Sequence, residues 1–597
     1  MGYLLSNDPE ARGRVSDPAR LQRSQWHCAD SPPPALDRRA TPPLVHWGHD
    51  QFARQFPGRG GWQLLFEGYL DREHARLDAE TLIDPERFEA DPVERLRGLA
   101  GAYTLIAWQP QTGEIIATRD RTGARTLYFI EHRGHLTLAT SSDWVVQASG
   151  CPRREEPRFI VSLFALQQAP PPGLSAFEGV RELMPGEVLR YRGSTLTITH
   201  TPRDFEALIR AGQRKRRADD WADEFFHLLN NAVISCLPPE GDVACMLSGG
   251  LDSGPTAVLA DAELHAQGRK LRAVSWSLKD FPDCDETQWI QMAAERLHHP
   301  VDFRDMSHAL PFSRLDESMI VPDLPIYNGF RLLVNDCYER AASLGCRVVL
   351  NASTGDQIYP KRQWVDLDRW RRGQYACIWD DHRRACAKGG IRVLLRDPAL
   401  RFLFTRWFPK IRRSARAPGW LSEDARALWS PPSSWPPESA IFSEPDYARQ
   451  LFGAPMGFEV AQEIGMGQRH GIDRRDPFAN EALLEFILQA PMDLSWRSGV
   501  SKAIARRSLR HHLPRRFLMK DRTGLLYAFH TAGRHENRNG IQFLIDAFDK
   551  NWAIYLREPA LSEALQGSSE IPEIVLSQTV GYCLWTSLIA QTKHQTL

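Results

Sequence analysis

Short apolar or alternating runs, separated by turn residues, dominate residues 60–200 of the chain. Runs of this length are typical of β-strands, whose successive side chains point to opposite faces of a sheet. Their close spacing predicts packed β-sheets. The predicted strands are residues 62–66, 102–108, 114–118, 126–130 and 135–138.

The pattern changes beyond residue 220, where strand-length apolar runs alternate with helix-length segments. Apolar residues at three- and four-residue spacing predict a helix over 221–233. Strands are predicted at 242–247, 271–276 and 346–351, with enough sequence between them for helices. Such alternation indicates a parallel, doubly wound sheet, whose ligands bind beyond the carboxyl ends of the strands.

The length of 597 residues exceeds what one hydrophobic core supports. We therefore predict an α/β protein with a β-rich domain over 1–205 and a doubly wound domain over 206–597. Residues 210–220 between these patterns are rich in Arg and Asp. They suit either a solvated linker or a nucleic-acid patch, and the linker needs no further assumption.

Composition narrows the choice of partner and compartment. The 74 basic and 74 acidic side chains cancel, so we expect neither nucleic acid nor a membrane as partner. Ten cysteines without a C-x-x-C pair indicate reduced thiols, and the N-terminus lacks a secretion signal, so a cytoplasmic location is predicted. The uncharged run 574–592 is too polar for a confident membrane span and is predicted to be a buried helix.

One loop between the strand at 242–247 and the next helix has the composition of a phosphate-binding turn. Glycine backbone can approach a ligand closely, and amides at a helix start point toward anions. An aspartate beside phosphate oxygens generally holds Mg²⁺ between them. The loop therefore predicts a metal-bound polyphosphate, although a Gly-rich turn without a ligand shares its pattern. Its residues are Ser248, Gly249, Gly250, Leu251, Asp252 and Ser253.

Two further segments should lie at the same edge of the sheet. The strand end at Val274 and Ser275 is predicted to lie near an adenine, and residues 353–357, with Gly355 and Asp356, near the phosphates. Asp356 could instead cap the helix that follows.

The loop Ser-Gly-Gly-Leu-Asp-Ser resembles that of the ATP pyrophosphatases, which cleave ATP between its α and β phosphates and form an adenylate. Other segments, in matching order, resemble the asparagine synthetase B family. This resemblance implies an amidotransferase-like (Ntn-type) first domain, an ATP pyrophosphatase second domain, and ATP and Mg²⁺ as cofactors. The segments are Phe66-Glu67-Gly68, residues 119–123, Met184-Pro185-Gly186, residues 474–478 and residues 501–514.

The resemblance also implies roles for individual residues. Asp252 and Asp356 would be the metal carboxylates, and residues 248–253 with Val274, Ser275 and Gly355 would bind ATP and pyrophosphate. Asp356 would also act in catalysis. Lys520 and Arg522 match the family's basic segment in exchanged order and would contact the adenylate as catalytic residues. A solvated basic loop is the alternative for these last two.

The sequence departs from the family pattern at residues that would bind glutamine and release its amide nitrogen as the attacking amine. Amidotransferase members carry a nucleophilic cysteine after the initiator methionine, where this chain has Gly2, and Glu67 replaces their glutamine-binding asparagine. We therefore expect a scaffold without glutaminase activity. Ser353 stands where the family has a glutamate and β-lactam synthetases a tyrosine.

Family members without the cysteine include enzymes that close rings within one molecule. Together with the Arg- and Trp-rich residues 361–445, this leads us to expect a lasso-peptide cyclase. It would join an Asp or Glu side chain of a linear core peptide to the peptide's N-terminal amine, with a leader-removing cysteine protease as partner. Alternatives are a β-lactam or asparagine synthetase-like ligase acting on a small acid, and a nucleotide-binding scaffold. Residues 361–445 could equally form ordinary amphipathic helices.

Overall fold

The computed structural model describes most of the chain. The described residues are 3–8, 10–11, 14, 45–48, 53–57, 61–71, 99–167, 170–200, 203–211, 217–360, 362–389, 416–430, 452, 458–497, 500–520, 526–547, 551–567 and 572–594.

Two antiparallel sheets form the first part of the molecule, as the alternating pattern predicts. One has the strand order β2-β1-β8-β7-β9 and the other β11-β10-β6-β5-β4-β3. Their strands are β1 (Tyr3–Ser6), β2 (Val45–Gly48), β3 (Ala53–Pro57), β4 (Gln63–Leu70), β5 (Gly101–Gln109), β6 (Glu114–Arg119), β7 (Tyr128–His132), β8 (His135–Ala139), β9 (Arg181–Glu182), β10 (Glu187–Arg192) and β11 (Thr195–His200).

Strand β5 shows why the pattern there is apolar rather than strictly alternating. Ile106 and Trp108 face the first sheet and pack with Tyr3 of β1. Leu105 and its neighbours on the opposite face pack in a second cluster with Trp62. Because both faces of the strand are covered, nearly every side chain along it is buried.

The second part of the molecule is built on a parallel sheet of order β14-β13-β12-β15-β16. All four pairings are parallel, which confirms the predicted doubly wound α/β fold. The order extends outward from the central strand β12, so ligands should bind beyond its carboxyl end. The strands are β12 (Val243–Met246), β13 (Leu271–Ser277), β14 (Asp302–Asp305), β15 (Val348–Leu350) and β16 (Asp473–Arg475).

Helices cover the sheets, and a short hairpin of β17 (Trp496–Arg497) and β18 (Val500–Ser501) precedes the last group. The helices are α1 (Ser142–Ser149), α2 (Pro157–Phe164), α3 (Phe205–Ala211), α4 (Ala218–Ser235), α5 (Ser253–Ala266), α6 (Thr287–Ala294), α7 (Arg331–Ser343), α8 (Gly355–Ile358), α9 (Arg362–Arg371), α10 (Tyr375–Gly389), α11 (Glu423–Leu428), α12 (Phe458–Arg469), α13 (Glu481–Gln489), α14 (Ala503–Ser508), α15 (Arg515–Leu518), α16 (Tyr527–Glu536), α17 (Arg538–Ala547), α18 (Glu558–Gln566) and α19 (Ile574–His594).

The C-terminal helix α19 is buried, as predicted, and its partners include the first part of the chain. Trp585 packs on Phe177 at 5.2 Å between ring centroids, and the Tyr582 hydroxyl donates to Glu155. Within the described part of the chain, no helix is long and apolar enough to cross a membrane. The predicted boundary between 205 and 206 stays a prediction, because one apolar cluster runs through both parts.

Candidate active site

The predicted phosphate loop connects β12 to α5 at the carboxyl edge of the parallel sheet. The Ser248 amide donates to Ser253 Oγ at 3.1 Å, and the two serine hydroxyl oxygens lie 3.0 Å apart. These bonds close the loop on itself. Leu251 packs on the apolar core beside the sheet, while Asp252 immediately precedes α5.

Gly249 is required by the turn. Its φ of +66° lies in the left-handed region, and a Cβ there would lie 2.9 Å from the Cβ of Trp289. At Gly250, a Cβ would lie 3.3 Å from Ser248 Oγ. The sequence Gly-Gly thus keeps the loop compact against α6 and leaves room at the serine hydroxyls.

Three charged side chains from distant parts of the sequence meet beside this loop. Lys502 Nζ contacts Asp252 Oδ2, and the same nitrogen lies 2.5 Å from Asp356 Oδ1. Asp252 and Lys502 are largely buried, whereas the Asp356 side chain is 79% exposed. The two predicted metal carboxylates therefore do come together, on one cationic atom.

The electrostatics follow from this burial. Burial raises the pKa of Asp252 to about 6, against the opposing charge of Lys502. Burial by itself would lower the pKa of Lys502, but the charges of Asp252 and Asp356 outweigh it and raise that pKa. The Lys502 backbone has φ +56°, an uncommon left-handed conformation for a residue with a side chain.

The residues present fit a divalent cation. Asp252 Oδ1 is buried and makes no hydrogen bond among the described residues, while its other oxygen and Asp356 already share one cation. No group of three or more His, Cys, Asp or Glu side chains forms a metal cage in the described ranges. In nucleotide sites, Mg²⁺ prefers one or two protein carboxylates, with phosphates and water at its other coordination positions. Asp252 and Asp356 would supply these two carboxylates.

Gly355 allows Asp252 to reach this position. A Cβ on Gly355 would lie 2.5 Å from Asp252 Cγ and 2.6 Å from its Cβ. A short side chain fixed at a helix start cannot move far enough to relieve such a clash. Residue 355 therefore has to be glycine because Asp252 approaches it closely, and not because its backbone is left-handed.

The loop that carries Asp356 is fixed by Asp476, which follows β16. Asp476 Oδ2 accepts from the Thr354 amide at 2.9 Å and from the Thr354 hydroxyl at 2.6 Å. Arg474 donates to the same oxygen at 3.0 Å and to Ser353 Oγ at 2.6 Å. The Ser353 hydroxyl is thus held in a structural network, while Asp356 lies in the first turn of α8 with an exposed side chain.

Val274 and Ser275 lie on β13 next to the phosphate loop. Both are buried, and the Ser275 hydroxyl donates to the Leu247 carbonyl at 2.6 Å. The Leu247 amide in turn donates to the Val274 carbonyl at 3.0 Å. The Ser275 hydroxyl and the Val274 carbonyl fix the start of the loop, and the predicted adenine contact stays a prediction.

Lys520 also lies against the loop, with partners different from those of Lys502. Its Nζ lies 2.5 Å from Glu286 Oε1, donates to the Gly249 carbonyl at 3.1 Å and sits 5.5 Å from the Trp289 ring centroid. It is 6% exposed. The predicted catalytic lysine therefore adjoins the phosphate loop, paired with an acid. Arg522, its predicted companion, lies outside the described residues.

Lys502, Glu286 and Asp476 carry no assigned role in the sequence prediction. Lys502 lies within residues 501–514, one of the segments that resemble the family, so the sequence does contain a signal for it. Glu286 follows two other acidic residues, Asp283 and Asp285, and Asp476 lies within residues 474–478, one of the segments that resemble the family, but neither pattern states a contact with the loop. Only the fold brings them to the loop.

Two family profiles match the chain. The family profile described as asparagine synthase matches residues 224–592, which includes every residue of the site. A profile described as glutamine amidotransferase domain matches residues 71–201, in the region of the two antiparallel sheets.

Individual relatives are distant. The chain is 20% identical to asparagine synthetase [glutamine-hydrolyzing] 3 of Bacillus subtilis over 73% of its own length and 68% of that protein. It is 25% identical to amidase chry2 of Gibberella zeae over 44% of its length and 40% of that protein. A solved glutamine phosphoribosylpyrophosphate amidotransferase from B. subtilis, complexed with ADP and GMP, matches with 12% identity. That match covers 44% of this chain and 65% of the other, and its TM-score of 0.17 adds nothing to what the sheets themselves show.

Proposed function

Because the chain belongs to the asparagine synthase family and is thus an ATP-dependent amide-forming ligase, we propose that it closes a ring in a linear peptide. An Asp or Glu side chain of the peptide would be joined to the peptide's own N-terminal amine. The product is a macrolactam of the kind found in lasso peptides.

The chemistry needs ATP because a carboxylate has no good leaving group. A carboxylate oxygen attacks the α-phosphorus of ATP, and the bond to the β-phosphate oxygen breaks to release pyrophosphate. The peptide amine then attacks the acyl carbon of the adenylate, loses a proton and displaces AMP. A bound Mg²⁺ would neutralise charge on the phosphates, and the family typically uses it with ATP.

The observation that carries the proposal is the meeting of Asp252 and Asp356 on Lys502 at the carboxyl edge of the sheet. This arrangement gives two carboxylates for a metal and a cation that can remain beside the phosphates. Lys520, which donates to the Gly249 carbonyl, adds a second buried cation beside the loop. Fixed charges around phosphate oxygens stabilise the charge that shifts to pyrophosphate as it leaves.

An amine from within the substrate is favoured by the first domain. Glu67 stands at the place of the family's glutamine-binding asparagine, is 3% exposed and lies 3.9 Å from Arg125 Nη1. A buried carboxyl there offers no amide donor to glutamine. The amine therefore has to come from another source, and intramolecular attack gains from proximity.

Exposed aromatic residues in the Arg- and Trp-rich region 361–445 favour a peptide substrate. On α10, Trp379 is 72% exposed and Tyr375 is 54% exposed. Large aromatic side chains on a surface suit apolar or aromatic peptide residues. Because the attacking amine of a ring-closing peptide must first be freed, we also propose a leader-removing cysteine protease as partner.

A second candidate function is ligation of a small acid, as in asparagine or β-lactam synthetases. The relative named asparagine synthetase favours it. A nucleotide-binding scaffold without catalysis is a third candidate, and the paired carboxylates of the site argue against it.

The direct test is to incubate the protein with ATP, Mg²⁺ and linear core peptides that carry an acidic residue at varied distance from a free N-terminus. We expect one peptide to lose the mass of one water while AMP and pyrophosphate form. Asp252→Asn should abolish the reaction, whereas Asp283→Asn, at an exposed carboxylate of the same domain, should not. AMP formation with a small amino acid and never with a peptide would move the assignment to the second candidate.

A further inference from the structure

Arg331 is a buried cation that the proposed chemistry does not use. The residue is 1% exposed, and neither Nη1 nor Nη2 makes a hydrogen bond among the described residues. Burial lowers its pKa well below the ordinary value, and the charge of Arg469 lowers it further, against the charge of Glu463. An uncompensated buried charge is costly, and native structures seldom keep one without a partner.

Arg340, on the same helix, shows what a satisfied buried arginine looks like. It is 3% exposed, pairs with Asp336 at 2.8 Å, and donates to the carbonyls of Asp302 and Ser275, each at 2.7 Å. Arg331 lacks any such set in the described part of the chain. Its free donors form a planar fork that matches an anion with two oxygens.

The position of Arg331 is at the ligand edge of the sheet. It is the first residue of α7, which connects β14 to β15. A helix between two parallel strands runs against them, so its N-terminus lies at their carboxyl ends. The phosphate loop after β12 and the Asp356 loop after β15 lie at the same edge.

Contacts lead from Arg331 toward the Asp356 loop. Glu463, whose charge acts on Arg331, accepts a hydrogen bond from the Tyr338 hydroxyl at 2.7 Å and from Asn351 Nδ2 at 3.4 Å. Asn351 directly follows β15 and precedes the loop that carries Asp356. Glu463 and Asn351 thus connect Arg331 to the loop that carries Asp356.

The charges around Arg331 favour a singly charged ligand over a polyphosphate. Arg469 beside Arg331 donates to two backbone carbonyls, of Ser318 and Ile320, and Asp316 and Arg314 act on it with opposite charges. Glu463 is the carboxylate that acts on Arg331 itself. A ligand carboxylate brings one negative charge toward Glu463, whereas a polyphosphate would bring several.

We infer that Arg331 binds a carboxylate of the substrate through both terminal nitrogens of its guanidinium. The inference rests on the proposed function, in that it names a specificity determinant of the same site. Two sources share this chemistry, namely the side-chain carboxylate that is to be activated and the free C-terminal carboxylate of the peptide.

The test measures binding by calorimetry of three probes to the full-length protein. N-acetyl-L-aspartate N-methylamide carries one side-chain carboxylate, N-acetylglycine one C-terminal carboxylate, and N-acetyl-L-asparagine N-methylamide none. We expect one of the two acids to bind and the neutral amide to fail. Arg331→Met should weaken binding about tenfold or more, and Arg331→Lys should retain part of it. The acid that binds identifies the source.

Stability separates a ligand-binding role from a structural one. Because the terminal nitrogens of Arg331 have no hydrogen-bond partner to lose among the described residues, Arg331→Met should unfold at a temperature no lower than the wild-type protein. Arg340→Met, the matched control, should unfold at a clearly lower temperature because it removes the donor to Asp336 Oδ2 and to the backbone carbonyls of Asp302 and Ser275. The inference is overturned if neither acid binds the wild-type protein, if Arg331→Met binds the acid equally well, or if Arg331→Met is destabilised as much as Arg340→Met. Acid binding without any ATP-dependent reaction would instead count against the proposed function alone.

Discussion

At the scale of the residue, Gly355 controls whether Asp252 can reach its place. A Cβ at residue 355 would lie 2.5 Å from Asp252 Cγ. We therefore expect Gly355→Ala to displace the carboxylate and to lower ATP-dependent activity about 10- to 100-fold, as loss of a group that positions a metal ligand does. Pyrophosphate release under saturating ATP and Mg²⁺ measures the effect.

Gly419 provides the matched control, since a Cβ there meets nothing within 4 Å and its φ is not in the left-handed region. Gly419→Ala should leave activity unchanged. If Gly355→Ala were as active as Gly419→Ala, Asp252 would not be a ligand of the reacting nucleotide or its metal.

The sequence identifies Asp252 and Asp356 as members of one site because each follows a strand of the parallel sheet. Lys502 is harder to assign. It lies far along the chain, after a short hairpin, and no local pattern states that its ammonium reaches both carboxylates. Arg331 gives no sequence signal at all, because it is only the absence of partners in the fold that distinguishes it from Arg340.

At the scale of the element, helix α1 is held at its N-terminus by Asp323 from the other part of the chain. One oxygen, Asp323 Oδ1, accepts from Ser141 Oγ at 2.8 Å, Ser142 Oγ at 2.9 Å and the Asp143 amide at 3.0 Å. Burial nevertheless raises the pKa of Asp323. The helix start thus ties the two parts of the molecule together with a carboxyl that the fold prefers neutral.

This predicts opposite effects for two substitutions at Asp323. Asparagine keeps the single acceptor oxygen, and it removes the buried charge. Because a raised carboxyl pKa favours the fold at low pH and this contribution is lost as pH rises, Asp323→Asn should gain stability relative to wild type as pH rises from about 4 through the raised pKa of Asp323. Asp323→Ala leaves three donors without their acceptor and should cost about 2–3 kcal/mol near pH 4, and less as pH rises and the wild-type carboxyl ionises.

Denaturant unfolding at several pH values measures both substitutions. A stability difference between Asp323→Asn and wild type that stays constant with pH, or that shrinks as pH rises, would contradict the account of this helix start.

The strands of the parallel sheet are predicted from the sequence only where they are apolar. The apolar strands β12, β13 and β15 are predicted within a few residues. The sequence prediction does not include β14 and β16. Strand β14, Asp-Phe-Arg-Asp, lies at the edge of the sheet and is mostly exposed, so it lacks an apolar run. Strand β16, Asp-Arg-Arg, is buried but charged, since ion pairs such as Arg475 with Asp473 at 2.7 Å satisfy it. Hydrophobic periodicity detects neither case.

At the scale of the whole molecule, a buried ion pair joins the two parts beside that last strand. Arg125 Nη2 lies 2.6 Å from Asp473 Oδ1, and both side chains are nearly inaccessible. Burial would raise the pKa of Asp473, but the charges of Arg125 and Arg475 lower it. The first domain is therefore fixed to the sheet that carries the site, although its own amidotransferase features are altered.

The order of domains and the fold class follow from the sequence, since alternation and strand-helix patterns are local. The packing of Phe177 on Trp585 and the pairing of Arg125 with Asp473 do not, because each joins residues hundreds of positions apart. The resemblance to asparagine synthetases covers the site well, while residues 390–415 and 431–445 of the Arg- and Trp-rich region 361–445 lie outside the described residues.

Whether this protein forms acyl-adenylates is measured by the exchange of labelled pyrophosphate into ATP. The assay contains the intact protein, Mg²⁺ and a panel of carboxylic acids. It reports reversible acyl-adenylate formation without requiring the amine. We predict exchange that depends on a linear acidic peptide and disappears in Asp252→Asn. Exchange supported by no peptide and no small acid, from protein that binds ATP, would contradict the assignment of this site to adenylation.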